Sequence, residues 1–232
     1  MTLTELFAVL PEGRFDPNIF KALILIGGPG SGKTTIGKNL ISGTGIRPVN
    51  SDDFYEMIKR RQGQSEIDVP ADIEQDPDWL RSREARRKRQ QNLLDGRLGL
   101  MLDVTGRWAP SVRRDVEQLR DLGYDVAIVY VKTDVKTAIA RQATRARKVK
   151  PEIIRQFHLD VGSNVAEYQA LVSGNFLTID NSGDQSVEQV INSPQNSVSA
   201  MGKPVSASKW ISRWLARPVN NATANDWRKD QR

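Results

Sequence analysis

The sequence predicts a three-layer α/β fold in which helices cover both faces of a central parallel sheet. Apolar runs of strand length alternate with helical stretches, as in parallel sheets that are buried on both faces. These runs lie, in chain order, in the segments KALILIGG, RPVNS, LGLMLDVTG, DVAIVYVK and NFLTID. A glycine-rich segment also lies between the first run and the first helical stretch. In a parallel sheet, this is the place where the chain leaves a strand and enters the following helix.

Residues that begin and end helices occur between the later runs. Pro110 suits the first turn of the helix after LGLMLD, and Gly123 suits its end. Asp134 suits the N-cap of the helix after DVAIVYVK. A further helical stretch over residues 151–172 leads into the last run. Helices therefore connect the successive strands of the predicted sheet.

The glycine-rich segment GGPGSGKTT matches G-x-x-x-x-G-K-[ST], the pattern of a phosphate-binding loop, or P-loop. Glycines allow backbone N–H groups to point at phosphate oxygens, and the helix that starts at Lys33 adds the positive end of its dipole. Lys33 is expected to reach the β- and γ-phosphates of ATP, and the Thr34 hydroxyl to bind Mg²⁺. The motif therefore predicts a P-loop NTPase or kinase fold with ATP and Mg²⁺ as cofactors. The expected ATP-binding residues are Gly27, Gly28, Pro29, Gly30, Ser31, Gly32, Lys33, Thr34 and Thr35.

Composition and charge restrict the class of protein. The chain has 232 residues, enough for one domain with additions, and its 34 Lys and Arg against 28 Asp and Glu give a net charge of +6. This excess favours polyanionic partners such as nucleic acid or nucleotides. Cysteine is absent, which excludes disulfides and thiolate zinc sites. No apolar run is long enough to span a bilayer and the N-terminus lacks the features of a signal peptide, so we expect a cytoplasmic protein without a membrane segment.

Two adjacent carboxylates, Asp52 and Asp53, follow the second run. Phosphoryl transfer to an alcohol needs a carboxylate that accepts the hydroxyl proton or orients the hydroxyl, at the carboxyl end of a strand beside the P-loop. Glu56 follows Asp53 by three residues, which is the spacing of a capping box, so Asp53 is expected to cap the next helix. Asp52 is therefore the predicted catalytic base.

GGPGSGKTT together with VNSDDFYE resembles the bacteriophage polynucleotide kinases and the zeta-toxin family of small P-loop kinases, and the likeness extends over residues 23–171. It implies a kinase with Asp52 in the position of the catalytic aspartate. It also implies a bacteriophage source, in which case the protein acts in the host cytoplasm. Tyr55 departs from the polynucleotide kinases, which carry an acceptor-binding arginine at that position. This departure counts against ordinary 5′-OH end specificity and makes Tyr55 a candidate acceptor contact.

Arg141 and Arg145 lie four residues apart, on one face of the helical stretch after the fourth run. A guanidinium can stabilise the charge that builds on a transferring phosphoryl group, and P-loop kinases carry a closing lid at this place. A solvated basic helix face is the alternative. The resemblance to polynucleotide kinases assigns the two lid arginines to Arg141 and Arg145, whereas the zeta toxins place the second nearer Arg147.

Asp103 ends the third run, a position that suits a contact with Mg²⁺ through water or with the acceptor. An acid that caps a turn is the structural alternative. The polynucleotide kinases also end this strand in an Asp. The following Thr105 and Arg107 instead resemble the zeta toxins, in which the equivalent residues touch a sugar-nucleotide acceptor. Asp103, Thr105 and Arg107 are therefore candidate acceptor-binding residues.

Two further segments are candidates for nucleic-acid contact. Residues 81–89, RSREARRKR, form either a solvated helix face or a surface for the phosphate backbone. Residues 207–215 carry two Trp on one apolar helical stripe, which docks on the domain, docks on a second copy of the chain, or stacks with bases. His158, the only histidine, lies among apolar residues at helical spacing and is expected to be packed or half-buried.

We therefore expect a P-loop kinase domain over residues 1–190, followed over residues 191–232 by a linker, an amphipathic helix and a disordered tail. The expected activity is ATP-dependent transfer of the γ-phosphoryl group to a hydroxyl of a nucleic acid, DNA in particular, or of a nucleotide-like acceptor. The hydroxyl is either a 5′ end or part of a hydroxymethylated base such as 5-hydroxymethyluracil, turned out of the duplex for phage DNA modification. A zeta-toxin-like sugar-nucleotide kinase, and a P-loop ATPase that serves as a binding or switch module, are the alternatives.

Overall fold

The computed structural model describes residues 16–64, 73–144, 149–219 and 226–227. These residues form a six-stranded sheet in the order β2-β3-β1-β4-β5-β6. The first five strands are parallel, and β6 is antiparallel to β5 at one edge. The strands are β1 (Lys21–Ile26), β2 (Arg47–Val49), β3 (Leu100–Asp103), β4 (Asp125–Lys132), β5 (Phe176–Asp180) and β6 (Ser197–Ser199). The predicted α/β fold with a central parallel sheet is confirmed.

The helices that connect these strands begin and end close to the predicted places. Pro110 lies in the first turn of α4 (Ala109–Asp121), and Gly123, just beyond its end, has a φ of 88° that favours glycine. The Asp134 side chain caps α5 (Val135–Ala143) by accepting a hydrogen bond from the N–H of Thr137. The helices are α1 (Lys33–Leu40), α2 (Ser51–Arg61), α3 (Pro77–Asp95), α4 (Ala109–Asp121), α5 (Val135–Ala143), α6 (Pro151–Val172), α7 (Val187–Asn192) and α8 (Ala207–Ala216).

The two faces of the sheet bury separate apolar cores. Successive residues of β1 alternate between them: Ile24 enters the first core and Leu25 the second. Helices α3, α4 and α6 cover the first core, and helices α1, α7 and α8 cover the second. All six residues of β1 are buried, as expected of a central strand in a three-layer fold.

Residues 197–216, which the sequence placed in a C-terminal extension, pack on the same sheet. Strand β6 pairs with β5, and Ala207, Ile211 and Trp214 of α8 are buried in the second core. Lys21 of β1, only 2% exposed, donates a hydrogen bond to the carbonyl oxygen of Trp214. The apolar stripe of α8 is therefore covered by its own chain. Its buried residues Ala207, Ile211 and Trp214 are therefore not available to a second copy of the chain or to stacked bases.

The sequence did not predict β6, because a strand of three residues with two serines carries no apolar pattern. Most of the expected C-terminal tail lies outside the described residues. Within it, Trp227 packs edge-on against Phe20, with 5.4 Å between the ring centroids. Over the part of the chain that the structure describes, no helix has both the length and the apolar character needed to cross a membrane.

Candidate functional site

The segment after β1 forms a loop at the carboxyl edge of the sheet, and α1 begins directly after it. The helix starts at Lys33, as the motif predicts, and Gly32 precedes it with a φ of 76°. Gly30 has the same φ, and a Cβ at this position would overlap the carbonyl oxygen of Ala138. Only glycine combines this backbone conformation with so close an approach. The amino end of α1 therefore opens on a tightly folded loop, an arrangement that binds phosphate groups.

Asp103 lies at the end of β3, the strand next to β1, and its side chain is 1% exposed. Oδ2 accepts hydrogen bonds from the hydroxyl of Thr34 at 2.6 Å and from the side-chain amide of Asn50 at 3.0 Å. Oδ1 lies 3.4 Å from Nζ of Lys33, and no described residue donates a hydrogen bond to it. A buried carboxylate with an unsatisfied oxygen beside a P-loop hydroxyl suits a place next to Mg²⁺, which prefers oxygen ligands.

The predicted capping box at Asp53 is wrong. Helix α2 begins at Ser51, and its N-cap is Asn50, whose side-chain oxygen accepts a hydrogen bond from the N–H of Asp52 at 2.9 Å. Asp53 is exposed and pairs with Lys38 at 3.1 Å. The helix starts earlier than predicted because Asn50 is itself a preferred N-cap residue, and sequence patterns locate helix ends only to within a residue or two.

Asp52 lies in the first turn of α2, just beyond the carboxyl end of β2, and is half-buried. The Asn50 side chain binds both the N–H of Asp52 and the carboxylate of Asp103. This one amide group therefore ties the start of α2 to the acid that contacts the P-loop. The predicted catalytic base and the predicted phosphate-binding residues lie at the same edge of the sheet.

Tyr55 faces α3 and not an open surface. Its side chain is 2% exposed, its hydroxyl donates to Asp76 at 2.9 Å, and its ring lies edge-on to Trp79 with 5.6 Å between centroids. Lys59 completes the cluster with ion pairs to Asp76 and Asp78. Burial and the Asp76 carboxylate raise the pKa of Tyr55, so the hydroxyl stays a donor. Tyr55 joins α2 to α3, and these contacts give no support to the acceptor contact predicted there.

Arg141 reaches from α5 to the segment after β5. Its guanidinium donates to the carbonyl oxygens of Asn181 at 2.9 Å and Gly183 at 2.7 Å. A Cβ at Gly32 would lie 3.8 Å from its Nη1, so the guanidinium sits beside the P-loop. The second predicted lid arginine, Arg145, and its alternative, Arg147, lie outside the described residues.

The loop over residues 105–107, after β3, is held at each of its three carbonyl oxygens. These accept hydrogen bonds from the N–H of Gly27 at 3.2 Å, the hydroxyl of Tyr168 at 2.7 Å and the side-chain amide of Asn164 at 2.9 Å. The first of these bonds joins the loop to the P-loop, and the other two join it to α6. The loop is therefore a positioned part of the site.

The two predicted acceptor residues in this loop differ in their surroundings. Thr105 is exposed. The Arg107 guanidinium donates to Asp160 of α6 at 2.7 Å and lies 4.5 Å from the centroid of the Phe157 ring. Arg107 is therefore directed at α6.

His158 is half-buried, as predicted, and it also contacts the P-loop, which the sequence did not predict. Its Nε2 lies 3.0 Å from the carbonyl oxygen of Pro29, and because a carbonyl only accepts, the imidazole donates. A Cβ at Gly28 would lie 2.5 Å from the His158 ring, so the ring covers that glycine. No local pattern could reveal a contact between residues 129 apart in the chain.

The basic stretch over residues 81–89 lies on α3, and most of its charged side chains are exposed. Lys88 pairs with Glu84 at 2.8 Å within the helix, and Nε of Arg89 donates to a carbonyl oxygen of β2 at 3.1 Å. Arg86 is the exception, because its side chain is half-buried. The exposure of the rest of the stretch fits both a solvated helix face and a surface for the phosphate backbone.

A family model described as an AAA domain matches residues 23–161 of the chain. The sequence has no significant match among curated proteins. Among solved structures, the chain is similar to one in the Pnkp1/Rnl/Hen1 RNA repair complex, with 21% identity and a TM-score of 0.50. The match covers 64% of this chain and 46% of that one, so this chain spans less than half the length of its relative.

Two other solved structures match over more of the chain. One is the AvrRxo1-ORF1:-ORF2 complex with ATP, with 12% identity over 87% of this chain and 65% of that one and a TM-score of 0.55. The other comes from the PezAT chromosomal toxin-antitoxin system of Streptococcus pneumoniae, with 15% identity over 98% of this chain and 92% of that one and a TM-score of 0.53. These similarities show a shared fold.

Proposed function

Because the chain belongs to the AAA domain family, whose model matches residues 23–161, we propose that it is an ATP-dependent kinase that transfers the γ-phosphoryl group to a hydroxyl of a nucleic acid. The observation that carries this proposal is the connection between the P-loop and two acids. Thr34 donates to Asp103, and Asn50 links Asp103 to the turn that holds Asp52. A phosphate-binding loop and a proton acceptor therefore meet at one edge of the sheet, as phosphoryl transfer to an alcohol requires.

The P-loop and the amino end of α1 hold the phosphates of ATP in this proposal, and Lys33 places its charge beside the β- and γ-phosphates. The residues present fit Mg²⁺, since Oδ1 of Asp103 is buried without a hydrogen-bond donor and Oδ2 of the same carboxylate accepts from the Thr34 hydroxyl. Among the described residues, no group of three or more acids and histidines could hold a metal alone. Phosphate oxygens and water would therefore complete the coordination. When bound, Mg²⁺ neutralises charge on the transferring phosphoryl group.

Asp52 accepts or orients the proton of the acceptor hydroxyl. Arg141, oriented by two carbonyl oxygens beside Gly32, stabilises the charge that develops on the phosphoryl oxygens, with Arg145 as the second lid arginine. A guanidinium has five N–H donors, so its two carbonyl contacts leave others for phosphate.

A nucleic-acid acceptor is supported by the net charge of +6 and by the exposed arginines and lysines of α3. A 5′ end and a hydroxymethylated base such as 5-hydroxymethyluracil are the two acceptor hydroxyls that the proposal includes. A sugar-nucleotide kinase is the second candidate, because residues 105–107 form a positioned loop at the site. The ion pair between Arg107 and Asp160 counts against it, since Arg107 would have to leave that carboxylate to bind a sugar nucleotide.

A labelling screen tests the proposal. The protein is incubated with Mg²⁺ and γ-labelled ATP in the presence of 5′-OH DNA, 5′-OH RNA, hydroxymethylated DNA or a uridine diphosphate sugar. We expect label on a nucleic acid. Label on the sugar nucleotide alone would show that the acceptor is a sugar nucleotide and not a nucleic acid. Release of phosphate without any labelled acceptor would contradict the kinase assignment and favour a P-loop ATPase that acts as a switch.

A further inference from the structure

Arg86 of α3 is half-buried, and its contacts differ from those of its neighbours in the helix. Arg86 of α3 is partly shielded from water, yet within residues 16–64, 73–144, 149–219 and 226–227 its guanidinium makes no hydrogen bond and no ion pair within 4 Å. Arginines that leave water are usually paired, because an uncompensated buried charge is costly. Arg83 and Arg87, on either side of it in the sequence, are exposed and need no such partner. Arg86 therefore differs from the rest of the basic stretch.

The course of α3 places Arg86 near the level of Asp103. The helix runs antiparallel to β3, since only residues 96–99 connect the two. Nε of Arg89 donates to the carbonyl oxygen of Pro48 in β2, the strand beside β3. Arg86 lies three residues nearer the start of α3, about 4.5 Å along the helix axis. It is therefore nearer than Arg89 to the carboxyl ends of β2 and β3, where the P-loop contacts lie.

Two carboxylates lie near Arg86. Burial lowers the pKa of Arg86, and the carboxylates of Asp115 on α4 and Asp103 on β3 act in the opposite direction. Burial raises the pKa of Asp115, and Arg86 and Arg114 act in the opposite direction. Together with the register of α3 on β2, these neighbours place Arg86 on the side of α3 that is next to α4, near the end of β3. No described residue accepts a hydrogen bond from its guanidinium, so its N–H donors are available to a ligand that carries oxygen atoms.

An exposed tryptophan lies at the same edge of the sheet, where the chain leaves β3 and enters α4. Trp108 lies at the start of α4, is 62% exposed, and has the guanidinium of Arg114 5.8 Å from its ring centroid. It directly follows the loop over residues 105–107, which three hydrogen bonds hold in place. The ring is therefore presented by a fixed segment, next to the arginine that also neighbours Asp115. Aromatic rings beside arginines are surfaces on which nucleobases stack.

We propose that the space between α3 and α4 is a nucleotide subsite for the acceptor, in which Arg86 binds a phosphate group and Trp108 stacks on the base. The inference rests on the proposed function, which places the acceptor hydroxyl beside Asp52. A guanidinium and a phosphate match through two parallel charge-assisted hydrogen bonds. Every base offers a π-face, so the subsite selects a nucleotide without selecting its sequence.

Binding of single-stranded DNA probes tests the role of Arg86 without requiring phosphoryl transfer. The probe is a six-nucleotide 5′-OH strand with a fluorophore at its 3′ end, measured by anisotropy with a non-hydrolysable ATP analogue and Mg²⁺ present. A second probe has one uncharged methylphosphonate at the first linkage, and a third has it at the fourth linkage. We expect neutralising the first linkage to weaken binding by the full protein about tenfold, as for the loss of a charge-assisted contact.

The affinity of Arg86→Gln should no longer depend on whether the first linkage is charged. Any change in affinity caused by neutralising the fourth linkage should remain. Arg87→Gln, the exposed neighbour, is the matched control and should keep the first-linkage preference. Lysine keeps the positive charge of arginine but lacks its planar pair of N–H donors. Arg86→Lys should therefore keep part of the preference for a charged first linkage. The proposal is overturned if Arg86→Gln still discriminates at the first linkage as the unaltered protein does. It is also overturned if the variant loses affinity for the ATP analogue instead, since Arg86 would then serve the donor.

The stacking role of Trp108 is tested with a strand whose first nucleotide is abasic. Removal of that base should weaken binding roughly tenfold in the unaltered protein and little in Trp108→Ala. Leu159→Ala, which shortens an exposed apolar residue of α6, is the control and should keep the full effect. The stacking role would be contradicted if removal of the base lowered the affinity equally in the unaltered protein and in Trp108→Ala.

A titration with a uridine diphosphate sugar separates failure of this inference from failure of the proposed function. If the sugar nucleotide binds in a manner that depends on Arg86 while the DNA strand does not bind, the subsite stands and the nucleic-acid acceptor is wrong. If DNA is phosphorylated but Arg86→Gln behaves like Arg87→Gln with all probes, the function stands and the subsite is wrong.

Discussion

The imidazole of His158 donates a hydrogen bond to the carbonyl oxygen of Pro29, with 3.0 Å between Nε2 and the oxygen. His158 lies on α6, and the same helix holds the loop over residues 105–107 through Asn164 and Tyr168. One helix therefore contacts both the P-loop and the loop after β3. In the proposed function these two loops are the donor and acceptor sides of the site, and α6 positions both.

The variant His158→Ala should raise the KM for ATP about fivefold, because it removes a hydrogen bond with a net value of about 1 kcal/mol and uncovers Gly28. Initial rates over a range of ATP concentrations measure the effect. Leu159→Ala, an exposed neighbour on the same helix, should leave the KM unchanged. Unaltered ATP affinity in His158→Ala would show that the contact does not position the loop.

The variants Asp52→Asn and Asp53→Asn distinguish the two adjacent acids. Loss of the general base should lower kcat by about a hundredfold or more in Asp52→Asn and leave ATP binding nearly unchanged. Asp53→Asn loses only an exposed ion pair with Lys38, worth at most about 1 kcal/mol, and should retain activity within a few-fold. Single-turnover transfer and ATP titration measure the two quantities. The opposite pattern would assign the base to Asp53.

Tyr55→Phe separates a structural tyrosine from one that binds the acceptor. The change removes the hydrogen bond to Asp76, so the free energy of unfolding should fall by about 1 kcal/mol while the KM for the acceptor stays the same. Urea unfolding and acceptor titration give the two values. Tyr130, a buried tyrosine whose hydroxyl makes no hydrogen bond to a described residue, is the control: Tyr130→Phe should lose little stability. A rise in acceptor KM without loss of stability would restore the predicted acceptor role of Tyr55.

Acid should weaken the contact between α2 and α3. Hydrogen bonds from Lys59 and Gln62 hold the pKa of Asp78 below its ordinary value. The carboxylate therefore contributes stability that is present above about pH 4, the unfolded-state value, and that is lost as the pH falls through the lower folded-state pKa. Lys59→Met should make urea unfolding less dependent on pH in this range. Lys209→Met, which removes an exposed lysine of α8 that pairs with no described carboxylate, serves as the control. The same pH dependence in both variants would contradict the assignment.

Trp214→Ala should destabilise the protein by about 3–5 kcal/mol, because the side chain is buried between α8 and the sheet. Thermal or urea unfolding measures the loss. The exposed Trp108 supplies the matched control, and Trp108→Ala should stay within about 0.5 kcal/mol of the unaltered protein. A small effect at Trp214 would mean that α8 is only loosely attached to the sheet.

The regular parts of the fold could be predicted because their patterns are local. Five parallel strands are apolar runs flanked by helices, and the P-loop is a contiguous motif whose helix starts at the predicted Lys33. Short polar elements could not be predicted in this way. Strand β6 forms because β5 offers it an edge, and Asn50 caps α2 where the Asp53–Glu56 spacing indicated a later start.

The sequence by itself determined the three-layer α/β class and the chemical identity of the P-loop, since both depend on residues close together in the chain. The tertiary structure alone decided which distant residues meet. Asn50 and Thr34 both donate hydrogen bonds to Asp103, the His158 ring covers Gly28, and Tyr55 is buried between α2 and α3. Arg86 is half-buried and makes no hydrogen bond to a described residue. The physical reason is that hydrogen bonds and burial depend on how helices cross the sheet edge. That geometry arises from packing of the whole core and has no local signature.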